Sequence, residues 1–319
     1  MSPVTPEPIS LTSLSADHLP VSSVSTLLLF VALSAIWGAS FLFLRLSVPD
    51  LGSWLVALLR VLLAFVALGL VARGLAWLAK TRGRPGPSNA EARSGVRWQQ
   101  FAWVGLLNSA IPFALYSFAA KTMLAGYMAI LNALVPMWAG LLAVVVLREP
   151  LRLSLLASVV LAMAGIVVLV GLSPVEVNLA FVLAALACVG ATVCYAVAGH
   201  LTRRWLSGVS AFDSALYSLA FASMALLPFG LAEAPQANFT LQASLAVVAV
   251  ALLCSALAYL LFFRLIRTVG PIKATTVTFM IPAFGVLWGS LFLGEPLTVN
   301  VLIGFGMVAL ASLIAMRWA

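Results

Sequence analysis

Few side chains in this sequence can do chemistry, and those few are of types that bind rather than react. Arg60 is the one cation well inside an apolar run, and Asn108 and Asn132 are the only asparagines deep within one. Trp37, Tyr116, Tyr195, Tyr259 and Trp288 are aromatics in similar positions. A guanidinium can hold a carboxylate, an amide donates and accepts at once, and an aromatic face can stack on a flat solute. Asn108, Pro112 and Tyr116 recur every fourth residue and so share one helix face, while Asn132 and Pro136 share another. Amides and charges are costly in hydrocarbon unless paired, so these positions read as the lining of a polar cavity. The competing reading has Asn108 and Asn132 bonding neighbouring helices, the aromatics packing, and Arg60 extending to the nearer interface.

The acids stand elsewhere, in a stretch that occurs twice. Leu147-Arg148-Glu149-Pro150-Leu151 recurs as Leu293-Gly294-Glu295-Pro296-Leu297, with Pro136 or Pro282 thirteen residues before the glutamate. The same 146-residue offset maps Ser109-Ala110 onto Ser255-Ala256, Lys121 onto Arg267 and Leu141 onto Leu287, as an internal duplication would. Proline cannot continue a helix as an interior residue, so each Glu-Pro marks a helix end. There Glu149 and Glu295 can serve the local turn or gate a cavity mouth, while Pro112, Pro136, Pro228 and Pro282 interrupt helices, the first, second and last letting them bend. No Asp or Glu falls mid-run, which predicts transport without a buried carboxylate relay.

Reactive constellations are missing. The sequence holds no HExxH, GxSxG or Walker A pattern, which argues against an enzyme. Cys188, Cys194 and Cys254 lie inside apolar runs without CxxC spacing, and His18 and His200 lie in the tail and at a run's end. Neither a metal site nor a cofactor is expected.

The elements that must position these residues are membrane spans. Hydrophobic residues make up 64% of the 319 and charged ones 8%, and mean hydropathy is +1.16, which a water-soluble globule could not sustain. A span needs about 20 apolar residues to cross roughly 30 Å of hydrocarbon. Ten such runs are present. The first five are Thr26 to Leu44, Trp54 to Val71, Phe101 to Ala120, Leu124 to Leu147 and Leu153 to Leu172. The second five are Leu179 to His200, Phe212 to Leu231, Leu241 to Phe263, Ala274 to Leu293 and Val299 to Met316. Residues 1–25, rich in Ser and Pro without Lys or Arg, read as a disordered tail, and 72–100 as a polar loop. Repeats of five spans are expected over 26–172 and 179–317. If the 72–100 loop is cytoplasmic, most of the 17 basic residues collect on its side, which puts both termini in the cytoplasm. Charge placed this way marks loops of a membrane protein and not a nucleic-acid surface. Five spans is an odd number, so the second repeat enters from the opposite face: an all-α integral membrane protein built as an inverted repeat, a common plan of secondary transporters.

Several motifs carry a resemblance. Ile36-Trp37-Gly38-Ala39-Ser40-Phe41, Leu58-Leu59-Arg60, the proline-bearing span ending in Leu147-Arg148-Glu149-Pro150, then Gly190-Ala191-Thr192, Pro282 and Leu293-Gly294-Glu295-Pro296 resemble the EamA family of the drug/metabolite transporter superfamily. Arg148 departs from the glycine frequent there. The resemblance implies a multi-pass protein of the cell (inner) membrane that exports small metabolites, often amino acids or related compounds. The partners are then a small-molecule substrate and the bilayer. A receptor or scaffold without transport is the rival, disfavoured by the lack of an extramembrane domain.

Overall fold

A computed structural model describes residues 23–81, 97–148, 150, 153–171, 178–270 and 274–316. Glu149, most of the tail expected over 1–25, and 82–96 of the expected polar loop lie outside the described residues. Lipid leaves backbone groups no partner but the chain itself, and each apolar run is accordingly helical. No strand occurs among the described residues.

The first half comprises α1 (Ser23–Leu51), α2 (Ser53–Thr81), α3 (Trp98–Ala119), α4 in two segments (Ala125–Asn132 and Val135–Leu147) and α5 (Leu153–Gly171). The second comprises α6 (Leu179–Trp205), α7 (Ala211–Glu233), α8 (Leu241–Val269), α9 (a 3-10 turn, Thr276–Phe279, then Ile281–Leu293) and α10 (Val299–Met316). Eight of these are long and apolar enough to cross a membrane; α5 and α10, apolar over Leu153–Leu169 and Val299–Ile314, are shorter. Helices outrun the hydrophobic stretches that mark them: α1 reaches Leu51, α2 Thr81 and α6 Trp205. Polar side chains at a helix end leave the backbone ladder intact. In α6, Arg203 and Arg204 also face the negative end of the helix dipole.

The duplication extends to the irregularities. Val135–Leu147 and Ile281–Leu293 are both 13-residue segments with proline in their first two positions, and each follows a break. Each ends on a left-handed residue, Arg148 at φ 57° and Gly294 at φ 66°. In the first half, α3 contains a π-helical turn at Leu106–Ala110; in the second, α8 contains one at Leu252–Leu257, again 146 residues on. Pro112, two residues beyond the first π-turn, lacks an N–H and suits the widened ladder. Its counterpart is Ala258, so the turn does not depend on proline.

The two segments of α4 take different partners. The first packs on α9, α6 and α1 and is buried from Ala125 to Leu131, whereas the second packs on α6 and α10. Close approach of α4 and α9 depends on Gly285, where a Cβ would overlap the Ala129 methyl. Gly289, four residues on, faces Gly126 of the same segment, so two small residues of α9 let it lie close to α4.

Polar links gather at the face where α1, α3, α7 and α9 end and α2, α4 and α8 begin. Arg45 Nη1 donates to the Ala120 carbonyl at 2.9 Å. The Thr240 hydroxyl donates to Asp50 Oδ2 at 2.6 Å. The backbone N–H groups of Trp54 and Leu55, which open α2, donate to Glu233 Oε2. Those of Ala125 and Gly126, which open α4, donate to Glu295 Oε1 and Oε2 at 2.7 and 3.0 Å. Both glutamates satisfy the orphan donors of a helix N-terminus in another part of the fold and complement its dipole.

Candidate functional site

The features that break helix regularity converge on one cavity of about 320 Å³, walled by α1, α2, α3, α4, α6, α8 and α9. The π-turn of α3 brings Asn108 to it, and that of α8 brings Cys254 and Ser255. The break in α4 brings Asn132, and the 3-10 turn of α9 brings Thr278. Irregular backbone is tolerated at membrane depth where it lines such a space.

Arg60 is the charged group on this wall. It is 6% exposed, so its stem does not carry the charge out to the interface. Nε donates to Ser255 Oγ at 3.1 Å, and the guanidinium carbon lies 3.8 Å from the centroid of the Phe113 ring, a cation–π arrangement. Ser255 is itself anchored, donating to the Val250 carbonyl at 3.1 Å inside the π-turn. The ionisable side chains facing Arg60 are Tyr195, Cys254 and Tyr259, none of which is a carboxylate.

Asn132 accepts a 2.9 Å hydrogen bond on Oδ1 from the Tyr116 hydroxyl, which ties α3 to the α4 break. Tyr116 is stacked on Tyr195, centroids 6.4 Å apart and planes 25° apart, and meets Phe41 edge-on at 5.3 Å. Tyr259 lines the same cavity as Asn108 and stacks on Phe263. Trp37 and Phe262 make a tilted pair at 5.3 Å.

Trp37, Asn108, Tyr116, Asn132, Tyr195 and Tyr259 thus share one cavity with Arg60. Trp288 is apart from that lining: its Nε1 donates to the Ala35 carbonyl at 2.9 Å and its ring stacks on Phe284. The prolines act from behind the wall. Pro112 and Pro282 are buried and Pro136 half-buried, each in the first two positions of a helical segment beyond a break or π-turn.

Sequence reasoning passed over Phe113, Cys254, Ser255, Phe262 and Thr278, all of which line the cavity. The signal for them was present in the duplication. The 146-residue offset carries Asn108 to Cys254, Ser109 to Ser255, Phe113 to Tyr259, Tyr116 to Phe262 and Asn132 to Thr278.

Two regions of the chain, residues 24–171 and 182–317, match the pattern of the EamA-like transporter family. One crystal structure is similar over 92% of this chain and 97% of its own, with a TM-score of 0.61 and 18% identity, a likeness of fold. No curated protein matches the sequence.

Proposed function

The chain belongs to the EamA-like transporter family, and from that premise we propose that it exports small metabolites, amino acids or related compounds, across the cell (inner) membrane by alternating access. The observation that supports this is a cavity lined by both repeats, with Asn132 and Thr278 at their paired helix breaks. On this reading all ten helices span the bilayer, and the positive-inside distribution makes the face stitched by Glu233 and Glu295 the outer one. The solute then enters from the cytoplasm while the outer face is held shut. Release requires the first segment of α4 to part from α9, bending at the breaks that Pro136 and Pro282 follow. Family membership favours transport over the receptor or scaffold alternative.

The test is flux. Proteoliposomes holding the purified chain should take up a solute from a mixed pool of amino acids, nucleosides and sugars, read by mass spectrometry against empty liposomes. Asn132→Ala should slow that uptake. Uptake no greater than in empty vesicles would refute the reading.

A further inference from the structure

The charge inventory of the cavity is one-sided. Arg60 supplies a permanent positive charge, and among the described residues the lining contains no aspartate or glutamate to balance it. Ser255 and the Phe113 ring compensate the guanidinium only in part, since neither bears a full negative charge. A buried guanidinium presents a planar fork of donors that matches a carboxylate, and in a water-poor site that pairing is strengthened. The other walls are aromatic faces and neutral hydrogen-bonding groups, among them Trp37, Tyr195, Tyr259 and Asn132. They suit a flat, largely apolar body, and about 320 Å³ suits a small one. An ammonium group would find no counter-charge there and would share the space with Arg60.

Resting on the transport reading above and narrowing its solute from amino acids to their related carboxylates, we infer that the substrate class of this cavity is a small organic monoanion, a carboxylate on a planar apolar body, in preference to the corresponding zwitterion or amine. The carboxylate seats on Arg60 and the body lies against the aromatic wall. A bound monoanion cancels the charge of Arg60, so the loaded cavity is neutral while net movement of solute carries charge across the bilayer.

Three probes that share a phenyl ring on a chain of two or three carbons separate the charge states: phenylpyruvate, phenylalanine and phenethylamine. Each is offered to proteoliposomes of the full chain, with the membrane potential set by potassium and valinomycin. The expected result is phenylpyruvate entering about tenfold faster than the other two, as a charge-assisted pair with a buried guanidinium provides. An inside-positive potential should accelerate it further. Arg60→Gln should lower that rate about tenfold or more, and Arg60→Lys should keep part of it by retaining charge without the fork. Faster entry of phenylalanine or phenethylamine, or an Arg60→Gln rate equal to the unmutated one, overturns the inference. If Arg60→Gln does not fold, the order of the three probes on the unmutated chain still decides. If all three stay out while a sugar or nucleoside enters, transport stands and the inference falls. If nothing enters from the wider pool, the transport reading falls and takes the inference with it.

Discussion

Replacing Glu295 with glutamine tests what holds the stitched face together. In the structure one carboxylate oxygen takes the Ala125 N–H at 2.7 Å and the other the Gly126 N–H at 3.0 Å. Hydrogen bonds to a charged acceptor contribute about 1.5–3 kcal/mol each, against about 1 kcal/mol for a neutral one. Glutamine keeps one acceptor, turns an NH2 group toward the second N–H, and gives up the attraction to the α4 dipole, about 0.5 kcal/mol. Glu295 is half-buried, so the lower end applies, a loss of about 2 kcal/mol. If the latch exists only while α4 and α9 are together, their parting becomes about 30-fold more frequent, since each 1.4 kcal/mol is a factor of ten. Val286, which faces Gly126 across this seam, can report it. With the three native cysteines replaced by alanine and Val286→Cys introduced, a membrane-impermeant maleimide should label the Glu295→Gln protein at least about tenfold faster than its Glu295 parent. Equal labelling rates would refute the reasoning, because the carboxylate would then contribute nothing specific to closure.

Other substitutions probe the remaining parts of the argument. Arg148 is exposed and is the one non-glycine residue with positive φ among the described residues. Arg148→Gly should relieve about 1–2 kcal/mol of left-handed strain, offset in part by the added freedom of the unfolded chain. Thermal unfolding in detergent should rise by about 1–2 °C, and a fall would place Arg148 in a contact of its own. Gly285→Val should overlap Ala129 and cost about 1–3 kcal/mol of overpacking, seen as a lower melting temperature. Adding Ala129→Gly should recover part of it, and no recovery would put the strain elsewhere. Tyr116→Phe and Asn132→Ala each break the 2.9 Å bond between α3 and α4 and should slow uptake about fivefold to tenfold, an effect of about 1 kcal/mol. If both variants transport at the unmutated rate, the solute does not pass through this cavity.

The amino-acid sequence by itself determined the membrane class, the duplication and some of the places where helices are interrupted, though Pro228, also expected to interrupt one, lies inside the unbroken α7. Hydrocarbon demands long apolar runs, and proline and Glu-Pro pairs act on the local backbone, so each is legible without a fold. The sequence also showed Arg148 where its repeat has Gly294; the backbone shows why glycine fits, since both residues cap their helices in the left-handed conformation. What it could not reveal was which way side chains turn. Trp37 and Trp288 are both aromatics inside apolar runs, yet one lines the cavity and the other is hydrogen-bonded to Ala35, because helix packing selects the face. Arg60 has a stem long enough to reach the interface or the interior, and only the nearness of Phe113 and Ser255 in other helices turns it inward. Glu295 marks a helix end in any reading, but its partners are the N–H groups of Ala125 and Gly126, 170 and 169 positions away. The π-turns do share a sequence, Leu-Leu-Asn-Ser-Ala at 106–110 and Leu-Leu-Cys-Ser-Ala at 252–256, but none of these residue types marks a widened turn, and Pro112 answers to Ala258. Periodicity describes one helix at a time, whereas these pairings arise from how two repeats close on each other, and that is settled by tertiary packing.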